Sequence, residues 1–150
     1  MEIEKMQEML LAALPYWNYR IAKPLKQALH DGISLDMYYC LQTLSWGGGM
    51  TMKECAQWMR MPKQQMTKLS NKLFELGLVD RVPDPCDRRI IKLQVTDKAK
   101  EYVKHFLQEE AGCLRRLLEQ MEEQDREEFG EAVDKILSIL IRLPSDSENG

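Results

Sequence analysis

The chain has 150 residues, of which 44% are hydrophobic and 30% are charged, values typical of an ordinary soluble protein of about one domain. Its first residues, MEIEKMQEML, lack the cationic start and apolar centre of a secretory signal, and no apolar run approaches the roughly 18 to 20 residues that span a bilayer. We therefore expect a cytoplasmic protein with no membrane partner.

The net charge of −3 is an average over three unlike segments. Residues 1–50 carry four Lys/Arg against five Asp/Glu, residues 51–104 carry twelve against seven, and residues 105–150 carry five against twelve. A basic middle between acidic ends predicts that the middle of the chain binds a polyanion.

Cysteine and histidine usage argues against a metalloprotein and an enzyme. Cys40, Cys55, Cys86 and Cys113 form no C-x-x-C pair, and two histidines complete no zinc site of standard spacing. The sequence contains no nucleophile elbow, no phosphate-binding glycine loop and no paired carboxylates in a recognisable setting. We expect free thiols, no cofactor and no enzymatic activity.

Helical periodicity dominates the first third of the chain. Apolar residues in 2–29 recur at spacings of three or four: Ile3, Met6, Leu10, Leu14, Trp17, Ile21, Leu25 and Leu29. Pro15 and Pro24 interrupt this pattern, which predicts a break or kink near one or both. A second helix is predicted from about Leu35 to Ser45, stopped by the glycines at 47–49.

Two further helices precede the predicted hairpin. The stretch TMKE has the form of a capping box, in which Thr51 and Glu54 bond reciprocally, and it starts a short helix to about Met59. Pro62 suits the first turn of a second helix, and Gly77 supplies its left-handed stop.

The segments LVDRV and RIIKLQV predict a two-stranded hairpin, which must pack against the helices because it is too small to be stable alone. Asp84 and Pro85 fit the first two positions of a type I turn between the strands. Ile91, Leu93 and Val95 alternate with Ile90, Lys92 and Gln94, the period of a half-buried strand, and are the predicted anchors to the core.

Beyond the hairpin, Thr96 is predicted to cap a long helix that ends near Met121. Asp125 and Glu128 resemble another capping box, which would start a last helix through Leu143. The tail at 144–150 is expected to be disordered.

The order of elements predicts a mainly α fold with a small β-hairpin wing, a winged helix-turn-helix flanked by N- and C-terminal dimerisation helices. The predicted parts are an N-terminal dimerisation region (1–34), a DNA-binding domain (35–98), C-terminal dimerisation helices (99–143) and the tail (144–150). The outer helices carry more apolar surface than one small domain can cover, which predicts a homodimer. The alternative is that they fold back on their own chain.

The helix that opens at Pro62 is the candidate reader of double-stranded DNA, because its polar side bears groups that pair with base edges and phosphates. The arginines at the hairpin bend have no core to pack into, and the narrow minor groove of DNA attracts arginine side chains. Asp87 can orient a guanidinium there. The candidate DNA-binding residues are Thr51, Lys63, Gln64, Gln65, Thr67, Lys68, Asn71, Lys72, Asp87, Arg88 and Arg89. The alternatives are an ordinary solvated helix face, or a winged-helix module that binds a protein instead of DNA.

The stretch DPCDRRIIKLQVT resembles the wing signature of the multiple-antibiotic-resistance regulators (the MarR family), in which D-x-R precedes five residues and then L/V-T. Asp87, Arg89, Val95 and Thr96 occupy the signature positions. The resemblance implies a homodimeric transcriptional regulator, usually a repressor, that binds a pseudo-palindromic site. By matched position, Gln64, Gln65, Thr67 and Lys68 would enter the major groove and Arg88 or Arg89 the minor groove. The chain departs from the family in having Pro62 at a position that is often polar, and a glutamine pair where Ser/Thr is usual.

The resemblance also implies release from DNA by a small, often aromatic, effector. Trp17, Tyr38 and Trp46 are the candidate ligand-binding residues, although aromatic side chains at helical spacing are more often plain core. Cys86 is a candidate for thiol-based redox sensing because two arginines beside it would favour its thiolate. The alternative for Cys86 is a cysteine with no role.

Overall fold

A computed structural model describes residues 1–144, so nearly all of the predicted disordered tail lies outside the described residues. The helices are α1 (Ile3–Trp17), α2 (Lys23–Ala28), α3 (Leu35–Gly47), α4 (Met52–Trp58), α5 (Lys63–Glu75), α6 (Asp97–His105), α7 (Gly112–Glu119) and α8 (Glu123–Arg142). Two π-helical segments, Asn18–Ala22 and Phe106–Glu110, join α1 to α2 and follow α6. The strands are β1 (Met50–Thr51), β2 (Val79–Pro83) and β3 (Ile91–Val95), which form an antiparallel sheet in the order β1-β3-β2.

The predicted mainly α fold with a hairpin wing is confirmed, and the sheet gains one strand that was not predicted. In β1, Met50 pairs with Leu93 and Thr51 pairs with Lys92. A strand of two residues has no periodicity to detect, and its pairing partner lies about forty positions further along the chain. Only the folded chain brings the two together.

Neither proline breaks the first helical stretch. Pro15 lies inside α1, and the helix widens between the prolines into the π-helical segment Asn18–Ala22, where the Lys23 amide donates to the Asn18 carbonyl. A π turn is a known way for a helix to absorb a residue that cannot complete the ordinary i to i−4 bond. The predicted kink therefore takes the form of a π turn before Pro24.

Glycines end α3 and α5 as predicted, and α3 also begins with a serine cap that was not predicted. The Ser34 hydroxyl accepts from the Met37 amide at 3.2 Å, and α3 ends two residues beyond the predicted Ser45, at the left-handed Gly48 (φ 69°). Gly77 (φ 74°) closes α5, and its amide donates to the Phe74 carbonyl at 2.9 Å. Glycine adopts this backbone conformation at the lowest cost.

Two cap predictions need correction before the hairpin. The Thr51 hydroxyl accepts from the Glu54 amide at 3.1 Å, but the reciprocal bond from the Glu54 side chain does not form, so α4 has half a capping box. Pro62 has extended backbone (ψ 149°) and is the residue before α5 rather than part of its first turn.

One buried cluster holds α3, α4, α5 and the sheet together. Its largest fully buried side chains include Met37, Leu41 and Leu44 from α3, Met66 and Leu73 from α5, and Leu93 from β3. Because three helices and a strand contribute to the same cluster, the reader helix and the wing share one rigid base.

The C-terminal half departs furthest from the prediction. The single helix expected to run to Met121 is interrupted by the π-helical segment Phe106–Glu110 and by a turn at Ala111. Phe106 is buried at the interruption, and the centre of its ring lies 5.4 Å from that of Tyr38. Gly112, which follows the turn at Ala111, is a weak helix former. The capping box at Asp125 is wrong, because α8 begins at Glu123 with no side-chain cap.

A polar contact joins the loop before α3 to the segment after α6. His30 donates from Nδ1 to Asp31 (2.7 Å) and from Nε2 to Glu110 (3.2 Å). The hydrogen bond to Glu110 and then that to Asp31 raise the pKa of His30 above 6.5. The contact ties the loop before α3, which belongs to the N-terminal region, to the C-terminal segment. Its strength depends on pH because His30 is charged only when it is protonated.

In residues 1–144, no helix combines the length and the apolar character that a membrane crossing requires.

Candidate nucleic-acid interface

The candidate reader helix, α5, is fixed to the core by one face. Met66, Leu69 and Leu73, spaced three and four residues apart, are buried. Ser70 is also buried, and its hydroxyl donates to the Thr67 carbonyl at 3.0 Å, so no polar group is left without a partner there. A helix anchored in this way holds its opposite face in a defined orientation.

That opposite face is exposed and basic. All seven candidate residues on α5 are exposed: Lys63, Gln64, Gln65, Thr67, Lys68, Asn71 and Lys72. The first turn contains no acidic residue, so the positive end of the helix dipole is not neutralised locally. The face therefore combines cationic, amide and hydroxyl groups on one rigid helix.

Two members of the face already have partners within the protein. The Thr67 hydroxyl donates to the Lys63 carbonyl at 2.9 Å. The Asn71 side-chain oxygen accepts a hydrogen bond from the Arg81 guanidinium. Asn71 therefore keeps its amide hydrogens, but not its full acceptor capacity, for contacts outside the chain.

Thr51 is the one candidate DNA-binding residue that lies neither on α5 nor at the wing tip. It is half-buried in β1, opposite Lys92, and its hydroxyl oxygen caps α4 through the Glu54 amide. The structure thus gives Thr51 a local role in starting the helix before the reader.

The wing tip contains two successive turns, which corrects the single predicted one. Asp84 Oδ1 accepts from the amides of Cys86 (2.7 Å) and Asp87 (3.2 Å), and Asp84 Oδ2 pairs with Lys92 Nζ at 3.2 Å. The bond from the Cys86 amide and then that from Lys92 lower the pKa of Asp84. The side chain of Asp84, rather than its carbonyl, closes the first turn.

The second turn runs from Asp87 to Ile90, where the Ile90 amide donates to the Asp87 carbonyl at 3.0 Å. Arg88 and Arg89 are its central residues, so both project from the tip. Asp87 Oδ1 accepts from Arg89 Nε at 3.2 Å and Asp87 Oδ2 from Arg89 Nη2 at 3.4 Å, the bidentate arrangement predicted for it. The Arg89 side chain nevertheless remains 91% exposed.

The hairpin is anchored at its base and free at its tip. Leu93 is buried (1% exposed) and Val95 is half-buried, but the predicted anchor Ile91 is 41% exposed. The prediction for Ile91 is wrong because alternation identifies the inward side of a strand without showing where the core beneath it ends. The outer part of the wing extends past the helices.

Sequence reasoning missed Arg81, which bridges the reader helix and the wing. It lies in β2, donates to Asn71, and places its guanidinium carbon 4.7 Å from the centre of the Phe74 ring. The strand pattern could have placed Arg81 on the same side as Val79, but only the fold brings that side against α5.

The three aromatic candidates for effector binding do not converge. Trp17 is exposed on α1, whereas Tyr38 is half-buried against Phe106. Trp46 is 63% exposed and lies eight residues along α3 from Tyr38, about 12 Å at 1.5 Å per residue.

A different site offers the space for a small molecule. An open cleft of about 650 Å³ lies between the π-helical segment Asn18–Ala22, α2 and the start of α3. Its lining residues are Asn18, Tyr19, Ala22, Lys23, Lys26, Gln27 and Leu35. Lys23 Nζ lies 5.5 Å from the centre of the Tyr19 ring, so the cleft combines an aromatic surface with positive charge.

All four cysteines are free thiols. Cys86 is exposed at the wing tip, and its backbone amide donates to Asp84. Cys40 and Cys55 are buried against each other between α3 and α4, and the hydrogen bond to Cys55, followed by burial, raises the pKa of Cys40. Within residues 1–144, no group of three His, Cys, Asp or Glu side chains is placed to hold a metal ion.

Three helices that share a core with a three-stranded sheet, and a projecting hairpin with arginines at its tip, define the winged helix-turn-helix class. The model of the MarR family matches residues 33–91, which contain α3, α4, α5 and the wing tip. An uncharacterized HTH-type transcriptional regulator of Mycobacterium leprae, ML2140, is 30% identical over 126 residues, which cover 83% of this chain and 88% of the relative. The chain belongs to the MarR family and is a transcriptional regulator rather than an enzyme.

Two further relatives illustrate the range of similarity. The transcriptional repressor MprA of Escherichia coli K12 is 26% identical over 80 residues, which cover 53% of this chain and 46% of that protein. The structure of a MarR family protein from Bacillus stearothermophilus superposes on this chain with a TM-score of 0.72 at 19% identity. That superposition covers 95% of this chain and all of the other, so the outer helices as well as the winged domain follow the same fold.

Proposed function

We propose that the protein binds duplex DNA as a homodimer and represses transcription, with α5 in the major groove and the wing tip in the adjacent minor groove. The observation that supports this best is the pairing of two basic surfaces on one rigid core. One is the exposed face of α5, which has no acid before Glu75, and the other is the turn that presents Arg88 and Arg89.

The side chains on α5 divide into two proposed roles. Gln64 and Lys68 lie one turn apart near the middle of the exposed face, where a bound duplex would present its base edges. Glutamine pairs with adenine through two hydrogen bonds, and lysine reaches the guanine acceptors. Lys63 and Lys72 lie toward the edges of the face, where they would contact phosphates and set the register of the helix on the duplex.

At the wing tip, Arg89 is the proposed minor-groove contact. Its bidentate pair with Asp87 holds the guanidinium before DNA arrives, which lowers the entropy lost when it inserts into the groove. Because the pair is exposed, it adds little to the stability of the free protein. Arg88, the other central residue of the turn, would contact the flanking phosphates.

The apolar surfaces of α1 and α8 support dimerisation by a second copy of the chain. Leu10 on α1 is 68% exposed and Leu140 on α8 is 52% exposed, and both belong to apolar faces that nothing within residues 1–144 covers. Contiguous exposed apolar surface of this kind marks an interaction site. We assign residues 1–34 and 99–143 to the dimer and residues 35–98 to DNA binding. A two-fold dimer would place two reader helices about 34 Å apart, one turn of DNA.

We also propose that the protein acts as a repressor and that a small effector releases it from DNA. MprA, a relative, is named a transcriptional repressor. The cleft beside Tyr19, Lys23 and Lys26 is the proposed effector site, since it joins the dimerisation segment to the first helix of the winged domain. Its aromatic and cationic lining suits a small aromatic ligand with a negative charge.

The direct test measures binding by fluorescence anisotropy, with labelled duplexes from the region upstream of the gene. The wild-type protein is expected to bind one of them with an affinity that falls steeply with salt. Lys68→Ala and Arg89→Ala should each weaken binding by about 1–3 kcal/mol. Arg115→Ala is the matched control, because Arg115 pairs with Glu119 on α7, outside the interface.

The result also separates the proposal from its main rival, a winged-helix module that binds a protein. The rival predicts no DNA binding at low salt, and partner binding that is unchanged when Arg88 and Arg89 are both replaced by alanine. Failure of the ligand-free wild type to bind any upstream duplex would refute the DNA-binding proposal.

A further inference from the structure

A protein that reads two neighbouring grooves must straddle the sugar–phosphate backbone between them. The proposed function places α5 in the major groove and the wing tip in the next minor groove, and one backbone strand separates these grooves. That strand has to pass beneath the junction of α5 and the hairpin. A side chain at this junction therefore faces phosphates, whatever the base sequence.

Arg81 occupies that junction. It extends from β2, the strand that leads out to the wing tip, and its guanidinium lies against the last turns of α5. Two contacts hold it: Nη2 donates to Asn71 Oδ1, and the guanidinium lies 4.7 Å from the centre of the Phe74 ring. Asn71 belongs to the exposed reader face and Phe74 lies beside it, 47% exposed, so Arg81 borders the proposed DNA surface.

Both partners of Arg81 are uncharged, and this distinguishes it from the two basic residues of the wing that form ion pairs. Lys92 pairs with Asp84 and Arg89 pairs with Asp87, whereas no carboxylate within residues 1–144 forms an ion pair with Arg81. An amide and an aromatic face orient a guanidinium without cancelling its charge. The donors of Arg81 that do not bond Asn71 remain available for a second acceptor.

We infer that Arg81 is a phosphate-binding residue of the DNA interface, held by Asn71 and Phe74 to contact the backbone strand between the two grooves. The inference rests on the proposed function, since it assigns a further contact to the same surface. Phosphate contacts carry no sequence information, so Arg81 would strengthen specific and non-specific binding alike. Through Asn71 it would also fix the reader helix relative to that phosphate.

The test compares wild type, Arg81→Ala and Arg81→Lys by anisotropy over a range of salt concentrations. The probes are a duplex selected by the wild type from a random pool and an unrelated duplex of equal length. For Arg81→Ala, the slope of log affinity against log salt should fall by about 0.9 per protomer, or about 1.8 for a dimer. Affinity at 0.1 M salt should fall on the order of tenfold per protomer on both duplexes. Arg81→Lys keeps the charge and should retain most of the slope.

Arg115→Ala removes a positive charge from α7 and should leave the slope unchanged. Circular dichroism confirms that each variant is folded. If Arg81→Ala does not fold, Arg81→Gln removes the charge in its place and should lose the same slope. The inference is overturned if wild type binds but Arg81→Ala has the wild-type slope, or if Arg81→Lys loses as much slope as Arg81→Ala. Absence of binding by the wild type would refute the proposed function itself, which is a separate outcome.

Discussion

Thr96 joins the end of the reader helix to the helix that leads toward the C-terminal segments. Its hydroxyl donates to the Gly77 carbonyl at 2.7 Å, just beyond α5, and accepts from the Ala99 amide at 3.1 Å, which caps α6. Thr96→Val keeps the branched shape and removes both bonds. Loss of a helix cap costs about 1 kcal/mol, and loss of a second hydrogen bond that leaves a half-buried carbonyl unpaired costs about 1 kcal/mol more.

The free energy of unfolding should therefore fall by about 2 kcal/mol, measured by urea denaturation at one fixed protein concentration with an unchanged m value. Thr96→Ser retains the hydroxyl and is expected to stay close to wild type. Thr67→Val removes an exposed hydroxyl bonded only to the Lys63 carbonyl, and should change stability by less than about 0.5 kcal/mol. The reasoning is refuted if Thr96→Val unfolds at the same urea concentration as Thr67→Val.

Three further predictions concern the core, the dimer and a pH-dependent contact. Leu93→Ala should lower the unfolding free energy by about 2–5 kcal/mol and Ile91→Ala by less than about 1 kcal/mol, since only Leu93 is buried. Equal losses in urea titrations would contradict the conclusion that Leu93 anchors the hairpin. If the chain forms the proposed dimer, Leu140→Glu should convert it to a monomer in sedimentation velocity, and an unchanged dimer mass would place the interface elsewhere. His30 has a raised pKa because it bonds Glu110, so its stabilising contribution is complete below pH 6.5 and is lost as pH rises through the raised value. Glu110→Gln should lower the pKa of His30 in an NMR titration, and an unshifted curve would exclude that pair as its cause.

Local signals in the sequence were sufficient for the central part of the fold. The buried face of α5 follows from apolar residues spaced three and four apart, and Gly77 ends that helix through its own left-handed backbone conformation. The bidentate contact of Asp87 with Arg89 is equally local, since the two residues are two positions apart. Such features depend little on the rest of the chain.

Features that depend on distant residues could not be predicted in this way. The strand β1 exists because β3 lies beside it, and the exposure of Ile91 depends on where the helices end beneath the wing. The sequence does not distinguish Tyr38 from Trp46, yet packing partly buries Tyr38 and leaves Trp46 exposed to solvent. Arg81 acquires its significance only from the contact between β2 and α5.

The central claim, that α5 and the wing tip together read duplex DNA, is tested most directly by selection from a random pool. Wild-type protein, free of ligand, should enrich a pseudo-palindromic sequence whose half-sites lie about 10 base pairs apart, as two reader helices in a dimer require. The double variant with Lys68→Ala and Arg89→Ala should enrich nothing above background under the same conditions. If the wild type enriches no sequence, or if the double variant enriches the same sequence equally well, the account is contradicted.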